Sequence, residues 1–120
     1  MKPGSHRPQQ VAETIRQVVA EALAREVRDP RVGRVTLTAV TVSGDLSHAT
    51  IRFVAGGEAD ARDRALQGLR SAAGFLRTRV ARSLGTRVVP ELHFEPDLGR
   101  EHAARINEVL ASLKGEGEAD

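Results

Sequence analysis

The chain contains no cysteine, tryptophan or tyrosine, and only three phenylalanines in 120 residues. Without cysteine, disulfides and thiolate chemistry are excluded, and nothing points to an oxidising compartment. With so few aromatics, stacking of bases on aromatic platforms, the usual route to single-strand recognition, is nearly unavailable. No apolar run approaches the roughly 18 residues that a membrane span needs. Residues 1–8 lack the apolar stretch of a secretion signal, so the cytoplasm is the expected location.

Catalytic and metal motifs are missing as well. There is no HExxH, no GxSxG nucleophile turn and no GxxxxGK[ST] phosphate loop. The histidines, His6, His48, His93 and His102, show no ligand spacing. Glu91, His93 and Glu95 alternate along one predicted strand face, where a solvated outer surface is expected rather than a ligand set. Asp45 sits in a turn, and a local hydrogen bond accounts for it. No enzyme activity, no cofactor and no metal site is expected.

What is present is an uneven charge. The net charge is only +2, yet residues 62–87 carry seven arginines against the single acid Asp63. Residues 88–120 carry 3 basic and 8 acidic side chains. A basic block in a near-neutral chain marks a candidate anion-facing surface, and the planar fork of arginine suits phosphate. The bland alternative is a pair of ordinary surface helices with solvated arginines.

Hydrophobic spacing predicts one domain over 8–113, a flexible N-terminus over 1–7 and a flexible acidic tail over 114–120. Val11, Ile15, Val18, Val19, Ala22 and Leu23 mark one helical face. Asp29-Pro30 should end that helix. The β-branched run 35–42 reads as a strand, with a slip in alternation between Ala39 and Val40 that suggests a bulge. A turn at 43–47 leads to a second strand with Ala49, Ile51 and Phe53 on one side. A second helical face follows from Ala61 to Ala73. Gly74 interrupts it, Leu76, Val80 and Leu84 continue it, and Gly85 is placed to cap it. A third strand is predicted from about Val88 to Phe94, with Leu92 and Phe94 inward and Pro90 marking an edge or a start. Asp97 should cap a last helix whose inward face is Ile106, Val109, Leu110 and Leu113. The predicted order is α-β-β-α-α-β-α: an α+β domain with a three-stranded sheet covered on one face by helices.

The most informative stretch is 71–82, where two amphipathic helices meet at small residues. Small side chains let another backbone approach closely. With Leu76, Val80 and Leu84 inward, Thr78 and Arg82 point away from the core, Arg79 lies on the flank and Arg77 sits near the boundary. Arg64 and Arg70 fall on the outer side of the preceding helix, and Arg87 completes the block. Phe75 is expected in the core, with stacking on a base as its alternative.

This element order resembles a type II KH domain, in which a helix-turn-helix packs on a three-stranded sheet. KH domains clamp a nucleic-acid backbone with a GxxG loop, and no GxxG occurs in this chain. Ala72-Ala73-Gly74 occupies the equivalent junction. An AxG helix-kink-helix there is similar to the ribosome-binding factor A family. Three further blocks resemble that family in order: 29–32 with Asp29-Pro30, the strand-turn-strand 40–49, and 89–97 with Pro90. The block 73–77 completes the set, and together they span roughly residues 8–113. The resemblance implies a non-enzymatic assembly factor that binds the free small (30S) ribosomal subunit and supports maturation of its 16S rRNA, with a link to growth in the cold. It implies a monomer without membrane association, with other assembly factors as further partners. By position, Ala72, Ala73, Gly74, Arg77, Arg79 and Arg82 become the expected RNA face, to which charge and wheel position add Arg64, Arg70, Thr78 and Arg87. A generic KH-type RNA binder and a protein-interaction adaptor are the alternative readings.

Overall fold

Val11, Ile15, Val19 and Ala22 recur at helical spacing and are all buried, which fixes the inner face of α1 (Pro8–Arg25). Pro8 opens the helix, where its missing N–H is no loss. The computed structural model describes residues 7–118. The expected N-terminal segment therefore lies outside the described residues except for Arg7. The helix ends before Asp29-Pro30, because the amides of Glu26 and Val27 both turn back onto the Ala22 carbonyl, at 2.8 and 2.9 Å. Asp29 instead caps a short 3₁₀ turn, Pro30–Val32, accepting from the Arg31 amide at 2.9 Å.

Strands β1 (Val35–Val42) and β2 (His48–Ala55) form the expected antiparallel hairpin. The bulge is present, but at Thr38, between Leu37 and Ala39, rather than between Ala39 and Val40. It restores the inward phase, so that Leu37 opposes Phe53 and Val40 opposes Ile51. In the turn, the Asp45 carboxylate accepts from the Ser43 and Ser47 hydroxyls, both at 2.7 Å, and from the Ser47 amide at 3.1 Å. These bonds, led by the Ser47 hydroxyl, pull its pKa down to about 2.

The segment predicted as two helices is one continuous helix, α2 (Ala61–Leu84). The observed order is therefore α-β-β-α-β-α, with the short 3₁₀ turn between α1 and β1. Gly74 does not use the conformational freedom expected of it: it is helical, and a Cβ built there meets nothing within 4 Å. Gly85 does use that freedom, capping α2 at φ 63° with its amide on the Ala81 carbonyl. Gly68, which the sequence did not single out, is buried where α2 crosses the 3₁₀ turn.

Strand β3 (Glu91–Pro96) starts after Pro90, which is fully buried, and pairs parallel with β2. The sheet order is β1-β2-β3, so β3 is an edge strand, and Pro90 precedes it rather than lying within it, marking the start. Ala49, Ile51 and Phe53 of β2 and Leu92 and Phe94 of β3 face α1 and α2, and with Leu69, Leu76 and Val80 they form the core. Burying a side chain such as Phe53 contributes about 2–3 kcal/mol. Among the described residues no buried side-chain polar atom lacks a partner.

Helix α3 (Leu98–Glu118) departs from expectation. Asp97 caps it as predicted, accepting from the Arg100 amide at 3.1 Å and from the Thr38 hydroxyl at 2.6 Å. The bulge at Thr38 is what brings that hydroxyl to the cap. Beyond its first turns, however, α3 leaves the sheet. Ile106, Val109, Leu110 and Leu113, expected to face inward, are 46–59% exposed. A helix of this length spans roughly 31 Å, and the molecule measures 65 × 30 × 19 Å. Among the described residues, only α1 and α2 cover the sheet. The tail expected to be flexible is helical as far as Glu118, and residues 119–120 lie outside the described residues.

Candidate nucleic-acid interface

The outer surface of α2 is set by its inner one. Burial of Ala65, Leu69, Leu76 and Val80 turns the opposite stripe to solvent. Along that stripe Arg70, Gly74, Thr78 and Arg82 succeed one another at four-residue spacing, and all are exposed. The result is a basic residue, two small ones, then a basic residue, with roughly 18 Å of helix rise between the arginines. The Thr78 hydroxyl donates to the Gly74 carbonyl at 3.0 Å, so it stays close to the helix and keeps the notch shallow.

Gly74 is informative because the fold does not require it. An exposed glycine inside a helix costs about 1 kcal/mol relative to alanine. Here no neighbour within 4 Å excludes a Cβ. What glycine does provide is bare backbone at the centre of a cationic stripe, open to close approach by another chain.

The other expected residues divide into three groups. Arg64, Arg70, Arg82 and Arg87 are exposed and make no ion pair among the described residues. Arg64 also lines an open depression at the start of α2 together with Arg31 and Arg34, two cations that the sequence did not mark. They are separated from it in sequence, so only the fold reveals the grouping. Of these, Arg31 is bound to Asp29, with Nη2 at 2.6 Å and Nε at 3.0 Å, and its guanidinium holds the Asp29 carboxyl below the usual carboxylate range.

The second group is tied to the fold. Arg77 donates from Nη2 to the Val89 carbonyl at 3.1 Å. Arg79 is half-buried and paired with Glu26 of the α1 C-cap, Nε to Oε2 at 2.7 Å with Nη2 on the same oxygen. Its guanidinium lies 5.6 Å from the Phe75 ring centroid. Phe75 itself was expected in the core and is 45% exposed. Its position beside the notch, on the outer half of the helix, keeps it out. Ala72 and Ala73 form the third group. They are half-buried against the core, and support the stripe from beneath rather than lining it.

A mixed three-stranded sheet with α1 and α2 on one face and a parallel β2-α2-β3 crossover is a type II KH-like architecture. Within that class, the ribosome-binding factor A family model matches residues 7–110. Ribosome-binding factor A of Pelobacter propionicus is 43% identical over 116 residues, covering 97% of this chain and 95% of the relative. The crystal structure of ribosome-binding factor A from Thermus thermophilus superposes with a TM-score of 0.65 at 27% identity, over 76% of this chain and 97% of that one. A homology model of the Thermus thermophilus factor, fitted into a cryo-electron microscopy map of its complex with the 30S subunit, matches with a TM-score of 0.50 at 31% identity, over 68% of this chain and 90% of that one. This chain belongs to the ribosome-binding factor A family.

Proposed function

We propose that the protein binds the free small ribosomal subunit and assists maturation of its 16S rRNA, docking through the outer stripe of α2. The observation that carries this reading is the Thermus thermophilus relative's placement in a complex with the 30S subunit, joined to family membership over residues 7–110. The chemistry agrees. Arg64, Arg70, Arg82 and Arg87 are available to phosphate, and Gly74 admits a close backbone. With aromatics scarce, recognition rests on phosphate, shape and 2′-hydroxyls rather than on base edges. Phe75, exposed beside Arg79, is the one aromatic positioned to stack on a base.

In this reading the protein acts as a monomer in the cytoplasm and not as an enzyme. It holds an immature RNA conformation until another assembly factor releases it, a role of greatest weight in the cold, where misfolded RNA escapes slowly. The adaptor alternative draws on the exposed apolar residues of α3. Co-sedimentation with isolated small subunits, large subunits and joined ribosomes across a salt series tests the proposal. Selective pelleting with small subunits that weakens steeply with salt is the expected result. Equal pelleting with every particle would favour a generic RNA binder, and salt-resistant, nuclease-resistant binding would favour the adaptor.

A further inference from the structure

Away from the helices, on the open face of the sheet, β2 and β3 bring His48, Glu91 and His93 together. The parallel register makes His48 and Glu91 direct partners, and His93 lies two residues further along β3 on the same face. His48 Nδ1 and His93 Nε2 are 3.0 Å apart, with ring centroids separated by 5.2 Å and planes inclined by 38°. One ligand atom from each of the three side chains falls within 4.8 Å of the others. From this geometry we infer that His48, His93 and Glu91 form a site for a divalent transition-metal ion, with Zn²⁺ as the fitting cation.

Two imidazole nitrogens and a carboxylate oxygen are a donor set that zinc accepts, at about 2.0–2.2 Å each. Tetrahedral zinc at that bond length holds two nitrogens about 3.3–3.4 Å apart, so His48 and His93 need to separate by only a few tenths of an ångström. Glu91 is exposed, and its side chain can swing in as the third ligand. The fourth position remains for water or an external donor, as in other sites with three protein ligands. Hard cations are disfavoured, since calcium and magnesium require oxygen shells. The charges nearby suit a cation. The Asp45 carboxylate lies in the turn that leads into His48, and Arg52, on the same face of β2, is paired with Glu95 at 3.8 Å. A bound ion would join the start of the edge strand to the centre of the sheet, beside the bond from the Glu91 amide to the Ser47 carbonyl at 2.9 Å.

This site is independent of the proposed RNA surface, because it lies on the sheet face opposite α1 and α2. Its test is calorimetric titration of the full chain with ZnCl₂, with MgCl₂ as the control, repeated on His48→Ala, His93→Ala and Glu91→Gln. The expected result is one saturable zinc site per chain, no response to magnesium, loss of the site in either histidine variant and weakened binding in Glu91→Gln. Zinc should also raise the melting temperature of the wild type and not that of His48→Ala or His93→Ala. All three side chains are on the surface, so circular dichroism should show each variant folded. Absence of saturable zinc binding by the wild type would overturn the inference. So would undiminished binding by a folded His48→Ala/His93→Ala double variant, which would place the ion elsewhere on the chain.

Discussion

A Cβ built on Gly68 would lie 2.8 Å from Val32 Cγ1 and 3.1 Å from the Cβ of Arg31. Val32 is 3% exposed and β-branched, so it has neither room nor rotamers with which to yield. The 3₁₀ turn after α1 can seat against α2 only because this position has no side chain. Gly74, six residues further along the same helix, has open space at the corresponding point.

The two glycines should therefore respond in opposite directions to the same substitution. Gly68→Ala gains helix propensity worth about 1 kcal/mol but incurs an overpacking cost of about 1–3 kcal/mol, for a net loss of stability. Gly74→Ala should gain about 1 kcal/mol, because nothing offsets the propensity gain. Urea unfolding midpoints decide both. If Gly74 serves RNA approach, the stabilised variant should also bind the small subunit more weakly.

The hairpin turn should contribute to the acid sensitivity of the fold. The Asp45 carboxyl is lowered from 3.8 to about 2 by the hydroxyls of Ser47 and Ser43. A depressed carboxylate stabilises the fold above its unfolded pKa, and that contribution is lost as pH falls. For Asp45 the window runs from about pH 4 down to about 2. Asp97, lowered by the Thr38 hydroxyl and the Arg100 amide, and Asp29, lowered by Arg31, act in the same direction. Asp45→Asn should be less stable than wild type at neutral pH and should lose less on acidification. Unfolding midpoints at several pH values between 7 and 2 would show parallel curves if Asp45 contributed nothing.

Much of this fold is legible in the chain because local periodicity and turn chemistry agree. The spacing of Val11, Ile15 and Val19, the alternation of Ala49, Ile51 and Phe53, the Gly85 cap and the Asp97 cap are each determined within a few residues of sequence. Where local signals were ambiguous, the outcome depended on distant partners. Ala72-Ala73-Gly74 read as a break between helices, yet Leu69, Leu76 and Val80 bury one uninterrupted stripe across it. Gly68 was silent because its significance lies in Val32, on another element. The same holds for Glu26, whose pairing removes Arg79 from the freely available cations of the site. His48 and His93 are separated by 45 positions and meet only through the parallel register of β2 and β3.

Helix α3 carries a regular apolar pattern, but periodicity identifies a face without identifying what covers it. With Val109 57% and Leu110 58% exposed, Val109→Asn and Leu110→Asn should change stability by less than about 0.5 kcal/mol, as surface substitutions do. Were these side chains in the core, as the pattern suggested, losses of roughly 2–5 kcal/mol would follow. Thermal melts of the two variants separate these cases by many degrees.

The basic stripe admits a sharper test than wholesale charge reversal, because its arginines are not equivalent. Arg70 and Arg82 flank the Gly74 notch and make no ion pair among the described residues, so alanine at either should leave the melting temperature unchanged. On the proposed interface each removal should weaken binding to the small subunit and reduce the slope of log K against log salt by about 1, the signature of one lost phosphate contact. Arg79→Ala should behave differently. It leaves Glu26 and Phe75 without their partner, so the melting temperature should fall together with any change in binding. Folded Arg70→Ala and Arg82→Ala variants that bind with unaltered affinity and unaltered salt slope would move the RNA surface off the stripe between Arg70 and Arg82. The cations Arg31, Arg34 and Arg64 at the start of the helix would then be the next positions to replace.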